Sequence, residues 1–360
     1  MIYSNYVKTI YIRQISILLA VIGFCISIFA CNNDSSTPAL QMAETIVEVE
    51  KDPGNLVIYS GRGESLVDPI IQQFRDATGI NVSVKYAKTS ELSATLQEEG
   101  SRSPADVFFA QDPGGIGSVE NMLAELPSSI LGLVPAWASS PEAKWVGISG
   151  RARTVVYNPE KFDESDLPDD IWDFIETKWR GRIGWAPTNA SFQTMVTAMR
   201  STWGEEKTRD WIEGIQANQP TIYPKNTPQL AAVAAGEIDV GFVNHYYLFR
   251  FLAEEGDSFA ARNYHPRSGG PGAVVIVAGT GILSGCENPE NAKRFVEFML
   301  SKVAQQYFAG QTFEYPLVQG VKTNSMLIPL ADINHPNIPL NQLTDTRGTV
   351  ELLRETGVLP

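Results

Sequence analysis

Apolar residues recur along this chain with two periods, in short runs of strand type and longer stretches of helical type. The run 56–61 (Leu-Val-Ile-Tyr-Ser-Gly) reads as a buried strand. It leads into an amphipathic helix over 66–78 that Gly79 closes. An alternating strand over 80–84, a helix over 90–100, a strand over 105–109 and a turn over 111–115 follow. Strands and helices alternating through short connections predict a parallel sheet wrapped by helices. Such sheets collect ligands at the carboxyl ends of their strands, here 60–64 and 110–112. An extended run covers 145–158, and a second series begins with a strand over 183–186 and helices over 191–203 and 205–218. A short strand at 222–223, a helix over 229–235 and the apolar run 239–243 complete that series, and the last of these turns helical. A further strand over 273–278 and a helix over 288–300 precede a final part with proline-rich connections. The economical arrangement is an α/β fold of two lobes, each a sheet wrapped by helices, joined by crossing strands near 145–157 and 272–284. The N-terminal lobe is expected over 54–150 and 274–318, and the C-terminal lobe over 151–273 and 319–360. Two crossing strands make a hinge, and a hinge makes a cleft that can shut.

At 360 residues the chain exceeds one ordinary core, in keeping with two lobes. A formal net charge of −13 argues against nucleic acid or an anionic membrane surface as partner. The first thirty residues differ from the rest. Lys8 and Arg13 precede an apolar run over 15–29, too short for an easy span, and Ala30 precedes Cys31. A small residue before Cys, followed by the polar stretch 32–38, resembles a bacterial lipoprotein box. On this reading 1–30 is a lipoprotein signal peptide, Cys31 is lipidated, and 31–53 is a tether. The other reading is an uncleaved anchor helix holding the same domain at the same membrane face. Cys25 leaves with the signal and Cys31 takes lipid, so Cys286 has no partner for a disulfide. Three histidines and no paired cysteines exclude a zinc finger, and His265 and His335, in proline-containing loops, carry no expectation.

The change-over at 239–251 holds the candidate chemistry. Asn244 lies where a starting helix wants a side-chain oxygen, which sets Tyr246 and Tyr247 in the first turn. The positive end of a helix favours negative charge, so phenols there are expected to ionise more readily. A hard trivalent cation would complete such a pair, because it prefers anionic oxygen donors. The plain alternative is packing. Neighbours on a helix lie about 100° apart, which makes burial in one core awkward and a shared cleft feasible.

Several segments together resemble the bacterial ferric-ion-binding proteins. They are 56–61, 105–109 (Ala-Asp-Val-Phe-Phe), 149–157 (Ser-Gly-Arg-Ala-Arg-Thr-Val-Val-Tyr), 182–189, 225–227, 244–247 (Asn-His-Tyr-Tyr) and 314–317 (Glu-Tyr-Pro-Leu). The resemblance runs from about residue 55 to the end. It implies a two-lobed periplasmic-binding-protein fold of type II. It also implies an extracytoplasmic component of an iron(III) ABC importer that performs no chemistry. Tyr246 and Tyr247 would hold Fe3+ in the interlobe cleft, completed by a synergistic anion such as carbonate or phosphate. By motif position the anion would face Asn189, Ala190 and Ser191, with Asn226 and Asn244 nearby, and arginines like Arg62 and Arg151 would take part. The expected partners are an inner-membrane permease and, through it, its ATPase. The expected location is the cell envelope, outside the cytoplasmic membrane, with a monomer held by lipid.

The departures from the family pattern fall at the ligands. Gly63 stands where some members carry His, Gln111 where some carry Glu, and Trp185 where several carry Tyr. Glu64, Trp185 and Gln111 are therefore further candidates at the cleft. Each residue also has an ordinary reading. Asn189 to Ser191 suit a helix cap, and Glu64 suits a helix first turn. Arg151, inside an apolar strand, must meet a carboxylate or an anion. The alternative function is the same fold binding an oxyanion, phosphonate, polyamine or organic acid without metal. An enzyme is not expected, since no nucleophile elbow, His-Glu-x-x-His or phosphate loop occurs.

Overall fold

The computed structural model describes residues 53–360; the expected signal over 1–30, Cys31 and the tether as far as residue 52 lie outside them. The described chain begins β1 (Asn55–Ser60), α1 (Glu64–Thr78), β2 (Asn81–Tyr86), α2 (Thr89–Glu99), β3 (Val107–Ala110), α3 (Pro113–Gly117) and α4 (Ser128–Leu131). Next come β4 (Val146–Tyr157), β5 (Ile183–Trp185), α5 (Ala190–Trp203), α6 (Glu205–Ala217), β6 (Thr221–Ile222), α7 (Asn226–Ala234), β7 (Val240–Asn244) and α8 (Tyr246–Glu255). The remainder is β8 (Arg262–Tyr264), β9 (Val275–Ile282), α9 (Pro289–Met299), α10 (Lys302–Gln311), β10 (Tyr315–Pro316) and α11 (Thr346–Glu355).

The periods predicted from sequence account for these elements. Val67, Ile70, Ile71 and Phe74 form the buried stripe of α1, and Gly79 ends it in the left-handed region, its N–H on the Arg75 carbonyl. One local reading is corrected. The expected turn at 111–115 is the short helix α3, because Asp112 accepts from the Gly115 amide at 2.9 Å and Pro113 takes the first position. α7 begins at Asn226. Pro228 therefore sits within the first turn, where the missing N–H costs nothing.

The strands follow the order β2-β1-β3-β9-β4-β7-β5-β6, with β10 and β8 also pairing with β4. The first half has β1 parallel to β2 and β3, and the second has β5 parallel to β6 and β7. β4 belongs to both. Its residues from Val146 to Ala152 pair with β9, while Arg153 to Tyr157 pair with β7. The segment entering β9 crosses beside it, with the Arg153 amide on the Val274 carbonyl at 2.9 Å. All twelve residues of β4 are buried, which puts Arg151 and Arg153 inside the molecule. At the end of β1 a Cβ on Gly61 would meet Thr89 Oγ1 at 2.1 Å. Only glycine allows that close approach of the end of β1 to the start of α2.

Candidate functional site

Arg62, Arg151 and Arg153 converge on one region, and each is at most 2% exposed. Arg151 and Arg153 are two apart on one strand, so their side chains leave the same face. Two buried carboxylates lie near them, of which Asp112 acts on Arg151 through its charge without an ion pair. Glu314, just before β10, pairs with Arg62 and accepts from the Ser149 hydroxyl. Burial alone would pull the Arg62 guanidinium down, but Glu314, with Tyr246 and Tyr247, leaves it raised. Burial and the charge of Arg62 depress Arg151, whose Nη2 donates to the Gln111 carbonyl. Burial pulls Arg153 down to about 9, the mark of a cation short of counter-charge. Its Nη1 donates to Asn244 Oδ1 at 3.0 Å. Arg62 Nε, Arg151 Nε and Nη1, and Arg153 Nε and Nη2 are buried without a hydrogen-bond partner among the described residues.

The two phenols face this cationic wall. Their rings stack with centroids 4.2 Å apart and 29° between planes. Tyr246 is 3% exposed and Tyr247 half-buried. Their charges couple to Arg62 and Arg153, so the pair is not enclosed by hydrocarbon. The expected ease of ionisation is corrected for the metal-free protein. Burial and the neighbouring Tyr247 hold Tyr246 well above the ordinary phenol, and Arg62 and Arg151 only partly offset them.

Asn244 does not cap α8. Its Oδ1 takes Arg153 and its Nδ2 donates to Ser191 Oγ at 3.1 Å, while His245 occupies the cap position without a side-chain bond. His245 is instead a clamp. Its Nδ1 accepts from the Ala152 amide at 3.1 Å and its Nε2 reaches the Phe313 carbonyl at 2.8 Å. The first contact fixes the tautomer, and burial pulls the ring down to about 3, so it is neutral. The residue that orients the phenols is thereby tied to β4 at the point where that strand changes partners.

The remaining candidates divide. Asn189 caps α5, accepting from the amides of Ser191 and Phe192 at 3.0 and 3.3 Å, with Ala190 the first helical residue. Asn226 is 1% exposed, and neither of its amide atoms has a partner among the described residues. Trp185 is 1% exposed and packs edge-on against Phe192, in the core. Gln111 is half-buried and contributes its backbone, its amide donating to Thr89 Oγ1. Glu64 is exposed in the first turn of α1. Sequence reasoning missed Glu314 and Arg153. The second had a signal, since an Arg-x-Arg run within an apolar strand puts both arginines on one face.

Comparison with known proteins places these features in a family. The sequence pattern of the bacterial extracellular solute-binding proteins matches residues 59–306. The major ferric iron-binding protein of Neisseria meningitidis serogroup B is 33% identical over 314 residues, covering 84% of this chain and 93% of that protein. Among solved structures, iron-bound HitA from Pseudomonas aeruginosa is 32% identical with a TM-score of 0.81, over 85% of this chain and 100% of its own. A Trichodesmium protein in complex with iron and citrate ligands is 29% identical with a TM-score of 0.76, over 84% and 99%. These relatives are binding proteins, and their fold is the two-lobed type II form found here. The chain belongs to the bacterial extracellular solute-binding protein family and, within it, to the ferric-ion-binding proteins.

Proposed function

We propose that this protein binds Fe3+ between its lobes through the Tyr246 and Tyr247 phenolates, together with an anion, and passes the ion to an ABC permease and its ATPase. The observation that carries this is the stacked phenol pair set against three buried guanidiniums of which only Arg62 has an ion-paired carboxylate among the described residues. Neither phenol hydroxyl takes a hydrogen bond among the described residues, which leaves both oxygens available to a metal. The unpartnered N–H groups of Arg62, Arg151 and Arg153, with the unpartnered Asn226 amide, suit an anion that would fill the coordination positions the phenols leave. Among the described residues no group of three or more His, Cys, Asp or Glu is placed to hold a metal ion. The metal-free reading has less support. An anion alone has no use for two free phenols, and a polyamine would meet a cationic wall. The protein acts as a receptor and catalyses no reaction.

Adding ferric ion with bicarbonate or phosphate should produce a visible phenolate-to-iron band. Because Tyr246 begins protonated, binding must release protons, and acid must favour release of the ion. If both phenols ionise, affinity falls by about a hundredfold per pH unit. Calorimetry in buffers of different ionisation enthalpy reads the proton count. No band and no proton release would end the ferric reading.

The chain is further proposed to be a monomer, lipid-anchored through Cys31 outside the cytoplasmic membrane, where its family works. No described helix is long and apolar enough to cross a membrane. Cys31→Ser should move the protein from the membrane fraction to the soluble fraction, and continued membrane retention would favour the uncleaved-helix alternative.

A further inference from the structure

His245 joins the phenol helix to two other segments at one point. Its N–H donates to the Ala152 carbonyl at 3.0 Å, and its Nδ1 accepts from the Ala152 amide at 3.1 Å. The Phe313 carbonyl can only accept, so Nε2 carries the hydrogen in the 2.8 Å contact with it. The imidazole stacks on Tyr315, with centroids 4.7 Å apart, and stands edge-on to Tyr246. Ala152 is the last residue of β4 to pair with β9, and Arg153 is the first to pair with β7. His245 follows β7, whereas Phe313 precedes β10, which pairs with the first half of β4. A rotation between the two halves of β4 must therefore move Phe313 relative to His245.

Phe313 has an unusual backbone. Its φ is +55°, a left-handed conformation that a bulky residue adopts only where its surroundings impose it. Two contacts that hold it come from the phenol helix and the residue before it. Its ring stacks on Phe249 of α8 with centroids 5.5 Å apart, and its carbonyl takes His245. The next residue is Glu314, the carboxylate paired with Arg62. The backbone of Phe313 thus helps to set where Glu314 points, and the segment carrying the phenols holds that backbone.

We infer that His245 and Phe313 are positioning residues for the bound ion. Together they keep the phenol pair in register with Glu314 and the arginine wall, and so slow the release of iron. The inference rests on the ferric reading. Neither residue is a ligand in it, since both nitrogens of His245 are engaged and Phe313 brings only a ring and a carbonyl bonded to His245. The bond between them exists in the arrangement where phenols and wall face each other. It therefore favours that arrangement over one in which the two halves of β4 have turned apart.

The test loads the full chain with ferric ion and phosphate and follows loss of the visible band to excess EDTA by stopped flow. His245→Asn keeps an acceptor near the place of Nδ1 for the Ala152 amide but is too short to reach Phe313. It should release iron about tenfold faster, the effect of one buried hydrogen bond. Its band should keep its intensity, because both phenols remain. His245→Gln is long enough to donate to Phe313 and should return the rate to within about threefold of wild type. A role confined to folding would lower the melting temperature of these variants and leave release from the loaded protein unchanged. Should His245→Asn fail to fold, Phe313→Gly carries the test. Glycine is at ease at a positive φ, so this variant should fold, and without its ring the link should let iron go about threefold faster or more. Release at the wild-type rate in His245→Asn, or in Phe313→Gly where the first does not fold, would overturn the inference and leave the ferric reading standing on the wild-type band. Equal acceleration in His245→Asn and His245→Gln would overturn it too, and no band in the wild type would overturn both readings.

Discussion

Tyr246→Phe should weaken and shift the visible band of the ferric complex, leaving the contribution of Tyr247 alone, and lower the affinity for Fe3+ by about a hundredfold or more. The magnitude follows from the ligand count. Metal sites that gain about 10–16 kcal/mol from four ligands gain about 3 kcal/mol from each, which corresponds to about two decades. The loss should exceed that figure here, because the removed oxygen is one of only two anionic side-chain donors at the site. Tyr247→Phe should behave alike, and the double variant should show no band. The iron-free protein supplies the control. The Tyr246 hydroxyl makes no hydrogen bond among the described residues and is held well above its ordinary pKa by burial. Removing it should therefore leave the melting temperature unchanged or slightly raised. A single variant with an unchanged band, or a double variant that keeps one, would refute the assignment, and a variant that unfolds in the iron-free state would mean the phenol serves the core.

The parts of this molecule that were legible in the sequence are those set by local rules. The stripe of α1, the strand Asn55–Ser60 and the helix bearing the two tyrosines all follow from periodicity and capping within a dozen residues. The short helix α3 was hidden because its glycines read as a turn, although Asp112 and Pro113 already spelled a helix start. Long-range partners were harder. Glu314 lies 252 positions from Arg62, and although 314–317 stood out as a family-like segment, nothing local says which distant cation it meets. Asn244 illustrates a competition that local rules cannot decide. Its side chain could cap α8, yet a buried guanidinium on the neighbouring strand needs the same oxygen more, and the cap position falls to His245. Trp185 was expected at the cleft because related chains carry Tyr there, but an indole is larger and packs against Phe192 instead.

Glu314→Gln should destabilise the iron-free protein by about 3–5 kcal/mol, the cost of leaving a buried guanidinium without its carboxylate. The residues concerned are 1% and 0% exposed in their side chains, so no solvent screening reduces the effect. The glutamine keeps the shape and still accepts one bond, which isolates charge as the cause. With Glu314 gone, three buried cations would face each other with only Asp112 within reach, and that carboxyl is itself raised by burial. The expected remedy is an external anion. Phosphate or bicarbonate should raise the melting temperature of Glu314→Gln by more than it raises that of the wild type, because the variant offers one more uncompensated positive charge. Arg62→Met combined with Glu314→Leu should recover much of the lost stability, since a buried pair replaced by apolar groups of similar volume is often neutral. That double variant should still bind ferric ion through its phenols, with a weaker dependence on added anion. Equal anion stabilisation of wild type and Glu314→Gln, read from melts across an anion titration, would show that Glu314 does not set the charge of this wall.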